Sequence, residues 1–197
     1  MTFDLEDVTF SYQTKNRSGR SVIDGVNLCI QQGECVGVIG HEGAGKTALL
    51  QLMMGLLKPV GGTIGVDGVD IWRKQGLVSG LRRQIGFAFQ FPEQQFFCET
   101  VEDELRYGPK NLRNLAGFME PGEALSAFGM RPELYMNRSP FSLSMGEARL
   151  IALSTLLMTR PQALLLDEPT VGLDGAGVDI VLNVLRRMKD EDKTIVM

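Results

Sequence analysis

The eight residues GHEGAGKT, Gly40 to Thr47, constrain the fold of this chain more than any other stretch. Gly40, Gly45, Lys46 and Thr47 match the spacing G-x-x-x-x-G-K-[ST], set between an apolar run (Cys35 to Ile39) and a helix-forming run (Ala48 to Met54). A strand, a glycine-rich turn and a helix in that order make a phosphate-binding loop. Glycines let the backbone N–H groups turn inward as a nest, and the helix presents its partly positive N-terminus to the same anion. The backbone of Gly40, Gly43, Ala44, Gly45, Lys46, Thr47 and Ala48 is therefore expected to line the phosphates. Lys46 is expected to pair with the outer phosphates and the Thr47 hydroxyl to ligate Mg²⁺. The alternative, an ordinary glycine-rich turn, leaves the lysine and threonine unexplained. His41, the only histidine of the chain, occupies a variable loop position, and its side chain is expected to face solvent.

A loop of this kind belongs in an alternation of strands and helices, and the flanking sequence supplies one. Residues 3–12 and 21–30 alternate apolar and polar residues as two strands, joined by the polar loop TKNRSG. Gly61 to Gly68 reads as a short strand ending in an Asp-Gly turn, and Gln84 to Gln90 as another strand. Thr100 to Tyr135 turns helical in short pieces punctuated by Gly and Pro. Ser144 to Thr159 reads as a helix that Pro161 stops, and Ala163 to Leu166 as a fully buried strand. Gly177 to Lys189 is amphipathic, and Thr194 to Met197 opens a last strand. These elements predict an α/β core with a mostly parallel sheet and an inserted helical subdomain. At 197 residues the chain fits one large domain.

Twenty Lys+Arg against twenty-four Asp+Glu give a net charge of −4, which does not favour a nucleic-acid surface. Cys29, Cys35 and Cys98 are odd in number and lack C-x-x-C spacing, so no disulfide framework or zinc site is implied, and a reducing cytosol is expected. The N-terminal MTFDLEDVTF is acidic and lacks the order of a secretory signal. The longest apolar stretches, Leu150 to Met158 and Ala163 to Leu166, are too short to span a bilayer.

ALLLDEP, Ala163 to Pro169, sets two carboxylates at the end of an apolar strand. Such a strand delivers Asp167 rigidly to a Mg²⁺ shell, and Glu168 beside it can orient or deprotonate a water. Between this pair and the phosphate loop lies FSLSMGEARL, Phe141 to Leu150. It resembles the L-S-G-G-Q signature of ATP-binding cassette (ABC) ATPases, with Leu143, Ser144 and Gly146 in place, Met145 for a glycine and Glu147 for the glutamine. Gln90 fits that family's Q-loop, Gly172-Leu173-Asp174 its D-loop, and Tyr12 the aromatic that stacks on adenine. Taken by itself, Tyr12 could equally be a strand-end core aromatic. The resemblance implies a phosphate-loop core with an N-terminal antiparallel subdomain, 1–90 and 160–197 forming the nucleotide-binding core and about 91–159 the Q-loop, helical subdomain and signature helix. It also implies ATP and Mg²⁺ as cofactors, with Thr47, Gln90 and Asp167 at the metal and Lys46, Gln90 and Glu168 in the chemistry. Ser144 and Gly146 would face the nucleotide of a second ABC ATPase subunit. Met145 adds bulk there and Glu147 would bring negative charge near an anion. Either this signature serves a weakened site of a heterodimer or the local backbone tolerates both changes.

FQFPEQQFFCETVEDELRYGPKNL, Phe89 to Leu112, resembles a segment of the ATPases of energy-coupling factor and cobalt- or nickel-type importers. In that family the region after the Q-loop meets the membrane component. Phe91, Phe96 and Phe97 are the aromatics expected to make that contact, unless they pack inward against the helical subdomain. The resemblance further implies a histidine just beyond the last strand, whereas this sequence stops at Met197. The chain is expected to be a shortened form of such an ATPase, weakly active or inactive, on the cytoplasmic face of a membrane and without a nucleic-acid partner. The alternatives are a nucleotide-gated ABC module that hydrolyses little and a soluble ABC ATPase not tied to transport.

Overall fold

Alternation builds the first layer. The computed structural model describes residues 1–12, 21–74, 76–112 and 117–197, so the expected TKNRSG loop and part of the helical stretch before Tyr135 lie outside the described residues. The first half carries β1 (Phe3–Phe10), β2 (Ile23–Ile30), β3 (Cys35–Val36), α1 (Lys46–Met53), β4 (Gly61–Val66), β5 (Val69–Asp70), α2 (Leu77–Leu81) and β6 (Ile85–Ala88). The second half carries α3 (Val101–Asn111), α4 (Pro121–Ala127), α5 (Pro132–Tyr135), α6 (Met145–Leu157), β7 (Ala163–Leu166), α7 (Gly175–Asp190) and β8 (Thr194–Val196). In β1, Phe3, Leu5, Val8 and Phe10 are buried while Glu6 and Asp7 face water; a register shift at Asp7, whose φ is +49°, restores the inward face after it. This strand is central to an antiparallel sheet in the order β2-β1-β4-β5.

The second sheet is parallel, in the order β3-β8-β7-β6. All four residues of β7 are buried, as a strand covered on both faces requires. Its period of two divides them between two cores. Ala163 and Leu165 face Phe3, Leu5, Leu52 and Met53, the side covered by the antiparallel sheet and α1. Leu164 and Leu166 face Leu125, Ile151, Leu153 and Val181, the side covered by α4, α6 and α7. Thr194, wholly buried, joins the two sheets: its hydroxyl donates to the Met1 carbonyl (2.7 Å) and accepts from Gly33 N–H (3.2 Å).

The expected α/β core, antiparallel subdomain and inserted helices are all present, with shifts at the element ends. The strand expected over Cys35–Ile39 stops at Val36, because after a last bond from Val38 N–H to the Met197 carbonyl (2.6 Å) the chain leaves the sheet for the phosphate loop. The following helix starts at Lys46, earlier than expected, because Gly45 caps it with φ +97°, a conformation that costs glycine little. A Cβ on Gly45 would also lie 2.9 Å from the Val22 carbonyl oxygen, so the loop packs directly on the start of β2. The strand expected over Gln84–Gln90 ends at Ala88 and releases Gln90 toward the site. Helix α7 starts at Gly175 because the Asp174 carboxylate caps it, accepting from Gly177 N–H at 2.8 Å.

Candidate functional site

The parallel strands end where the chemistry-bearing residues gather. Lys46, first residue of α1, folds its ammonium over the loop and donates to the carbonyls of Gly40 (3.0 Å) and His41 (3.2 Å). The Thr47 hydroxyl donates to Asp167 Oδ2 at 2.6 Å. Asp167 is buried at the end of β7, where its own N–H bonds the Ala88 carbonyl of β6 at 2.9 Å. One residue on, Glu168 adopts φ +50°, which swings its carboxylate onto Gln90, whose Nε2 donates to Oε2 at 3.0 Å. The sequence-predicted Lys46, Thr47, Gln90, Asp167 and Glu168 thus stand as two bonded pairs beside a lysine-capped loop.

These residues fit a Mg²⁺-nucleotide. The loop from Gly43 to Thr47 points a helix N-terminus and a lysine at one space, and Gly43 has φ +76° with nothing within 4 Å of where a Cβ would lie. Thr47 and Asp167 form a close pair of hard oxygen donors. Among the described residues no cluster of three or more His, Cys, Asp and Glu could hold an ion alone. Tyr12, half exposed, stands edge-on to Phe10 with ring centroids 4.9 Å apart; Phe10 pairs with Ile23, whose side chain reaches Gly45. His41 is exposed, as expected, with Nδ1 at 2.7 Å from the Glu42 carbonyl oxygen.

Ser144 and Gly146 are not brought to the phosphate loop; among the described residues no hydrogen bond links them to it. Ser144 is the exposed N-cap of α6, and Met145 beside it is 68 % exposed. Glu147 corrects an expectation, because its charge does not point outward. Its Oε2 accepts from Ser144 N–H (2.8 Å), closing a capping box, and its Oε1 accepts from the Tyr135 hydroxyl (2.9 Å) near Arg138 (3.4 Å). The Ser144 backbone and hydroxyl, then Tyr135, hold its carboxyl down at about 2, against burial. The same bond pushes the Tyr135 phenol up.

Of the three phenylalanines, Phe91 (44 % exposed) and Phe97 (58 %) face water. Phe96 instead packs against the second core, so the expectation of three exposed rings is corrected to two. The turn is folded back by Glu104 of α3, whose Oε2 accepts from the N–H groups of Phe97 (3.1 Å) and Cys98 (2.9 Å). Sequence reasoning passed over Arg149, which is 2 % exposed and touches both Gln90 and Glu168. Its signal was an arginine inside the apolar run ARLIALSTLL.

A phosphate loop, a carboxylate pair at the end of a parallel strand of the same sheet and a capped signature helix in one domain define a nucleotide-binding cassette. The ABC transporter family profile matches residues 23–171, and the chain belongs to that family. It is 38 % identical over 200 positions to the energy-coupling factor transporter ATP-binding protein EcfA2 of Clostridium tetani, covering the whole of this chain and 69 % of that one. The EcfA2 of Caldanaerobacter subterraneus subsp. tengcongensis is 39 % identical over 201 positions, covering 99 % of this chain and 68 % of that one. Among solved structures, CbiO1 from Clostridium perfringens superposes with TM-score 0.80 at 30 % identity over 98 % of this chain and 76 % of that one. The dimeric cassette MJ0796 bound to ADP and Pi superposes with TM-score 0.87 at 26 % identity over 98 % of this chain and 86 % of that one.

Proposed function

We propose that this chain is the ATP-binding and ATP-hydrolysing subunit of a membrane importer of the energy-coupling factor or cobalt/nickel type. The observation that carries the reading is the pair of hydrogen bonds Thr47–Asp167 and Gln90–Glu168 beside the Lys46 loop. The importer class is supported by relatives named as energy-coupling factor ATP-binding proteins and by CbiO1, described as part of the transporter complex CbiONQ.

When bound, ATP supplies the phosphoanhydride bond and Mg²⁺ neutralises charge on its oxygens. Lys46 and the N–H groups from Gly43 to Ala48 hold the phosphates, and Thr47, Asp167 and Gln90 hold the metal. Tyr12 stacks on the base. Glu168 accepts a proton from water at a carboxylate oxygen, and Gln90 keeps that carboxylate aimed. Ser144 and Gly146 face the nucleotide of a second ABC subunit, with MJ0796 a dimeric precedent. Phe91 and Phe97 form the face toward the membrane component, on the cytoplasmic side. No helix among the described residues is long and apolar enough to cross a membrane. The acidic net charge speaks against nucleic acid as partner.

Calorimetric titration tests the site. The parent should bind Mg-ATP, Lys46→Ala should bind none, and Glu168→Gln should bind like the parent while losing about 10²–10⁴-fold in turnover. Unchanged affinity in Lys46→Ala would refute the site. Co-purification with RNA or DNA in place of a membrane protein would refute the transport role.

A further inference from the structure

Arg149 is buried to 2 % exposure in the middle of an apolar helix, an expensive place for a guanidinium. Its partners do not repay that cost in full. Among the described residues Nε has no hydrogen-bond partner, and the carboxylate of Glu93 lies 3.4 Å from Nη2 with Oε2 itself making no hydrogen bond. The face of Phe91 adds a weak contact at 6.0 Å. A leucine or methionine would fill the same space but leave the Glu93 carboxylate and the Gln90 and Glu168 carbonyls without this partner, so the arginine is tied to those groups rather than to the apolar helix around it.

What Arg149 does make are two directed bonds to backbone. Nη2 donates to the carbonyl of Gln90 at 2.7 Å, and Nη1 donates to the carbonyl of Glu168 at 3.2 Å. Those two residues are 78 positions apart, and their side chains meet each other at 3.0 Å. Each sits just past the end of its strand, β6 or β7, where ladder bonds no longer hold the chain. Glu168 also carries φ +50°, a conformation that a residue with a side chain, followed here by Pro169, adopts only under external constraint. A planar fork with two parallel donors can clamp two carbonyls at fixed spacing; a single ammonium cannot.

We infer that Arg149 is a positioning residue, bridging the Gln90 and Glu168 backbones from α6 so that the Gln90 amide and the Glu168 carboxylate stay paired. This rests on the ATPase reading for its consequence, though not for its geometry. The phosphate loop lies on other elements, so the bridge bears on nucleotide binding only through the share of the metal that Gln90 holds, whereas the step that uses Glu168 depends on it directly.

Arg149→Met and Arg149→Lys test it in two arms. The first needs no nucleotide: the side-chain amide signal of Gln90, assigned with Gln90→Ala, is followed in ¹H–¹⁵N spectra of the 197-residue chain. Both variants should move or broaden it while the remaining spectrum stays that of a folded chain, with a melt lowered by the loss of the Glu93 pair. The second arm measures Mg-ATP affinity and single-turnover hydrolysis. Affinity should fall by only a few-fold, through the Gln90 share of the metal, and the hydrolysis rate by about 10²-fold, the scale of a misplaced reacting group. In a Glu168→Gln background the same substitutions should cost little more, because both act through one carboxylate. A folded variant with a parent-like Gln90 signal and parent-like turnover overturns the inference. So do affinity and rate falling by the same factor, losses additive with Glu168→Gln, or unfolding of both variants, each of which makes Arg149 merely structural. If the parent itself releases no phosphate, the ATPase reading fails, and the Gln90 signal still decides whether the bridge exists.

Discussion

At the scale of single residues, Glu147 shows how a departure from a familiar motif can be absorbed locally. A carboxylate facing the phosphates of a second subunit would repel them. Here its two oxygens are taken by Ser144 N–H and the Tyr135 hydroxyl, with Arg138 beside them, so the charge is spent inside the subunit. Half of this was legible: Ser144 and Glu147 stand at the S-x-x-E spacing of a capping box, which the sequence displays directly. The other half was not, because Tyr135 reaches Glu147 across a tertiary contact that no local pattern encodes. The carboxyl is held at about 2 in the fold against 4.5 in a free chain, so its contribution is complete above about 4.5 and disappears as pH falls toward 2. Glu147→Gln should therefore cost about 1–2 kcal/mol at pH 7, and that deficit should shrink between pH 4.5 and pH 3. Urea midpoints of parent and variant at these pH values measure it. A constant deficit would show that the ionised carboxylate is not what stabilises the helix start.

At the scale of elements, helices and strands were read well where periodicity was uninterrupted, as in β7 and α7, and poorly where the site pulls on the chain. The short β3 and the early end of β6 are two of the misjudged strands, and each releases a segment toward the nucleotide side, while β1 and β2 are each two residues shorter than expected and the two-residue β5 was not foreseen. The turn after β6 is the other such place. Three phenylalanines in seven residues cannot be sorted into inside and outside from sequence, because the sorting is done by Glu104, which draws the Phe97 and Cys98 amides onto α3. Phe96 faces the second core and Phe97 stands edge-on to Tyr107, centroids 4.6 Å apart, on the surface. Phe96→Ser should thus lose about 1–3 kcal/mol of stability. Phe97→Ser should stay within about 0.5 kcal/mol of the parent and weaken association with the membrane component about tenfold. Thermal melts and pull-down titrations of the two single variants separate these roles; equal destabilisation by both would return Phe97 to the core.

At the scale of the molecule, the two sheets, the inserted helices and the phosphate loop form one arrangement that the sequence announced through Gly40–Thr47 and Ala163–Pro169. What it could not announce were contacts between distant segments, such as Thr194 joining Met1 to Gly33, or Arg149 joining Gln90 to Glu168. Mg-ATP at about a hundred times its dissociation constant should stabilise the folded chain by roughly 2.7 kcal/mol. That amounts to a rise of roughly 5–10 °C in the melt for a domain of this size, and Lys46→Ala should abolish it. No shift in the parent would mean that the loop does not bind nucleotide. The left-handed backbone of Glu168 adds an order in time. Neither glutamate nor a residue preceding proline favours that conformation alone, so a nascent or partly unfolded chain has no reason to hold it. The geometry at Glu168 is then among the last features to form as the chain folds and among the first to be lost as it loosens. A cell would meet inactive but largely helical molecules before it met unfolded ones.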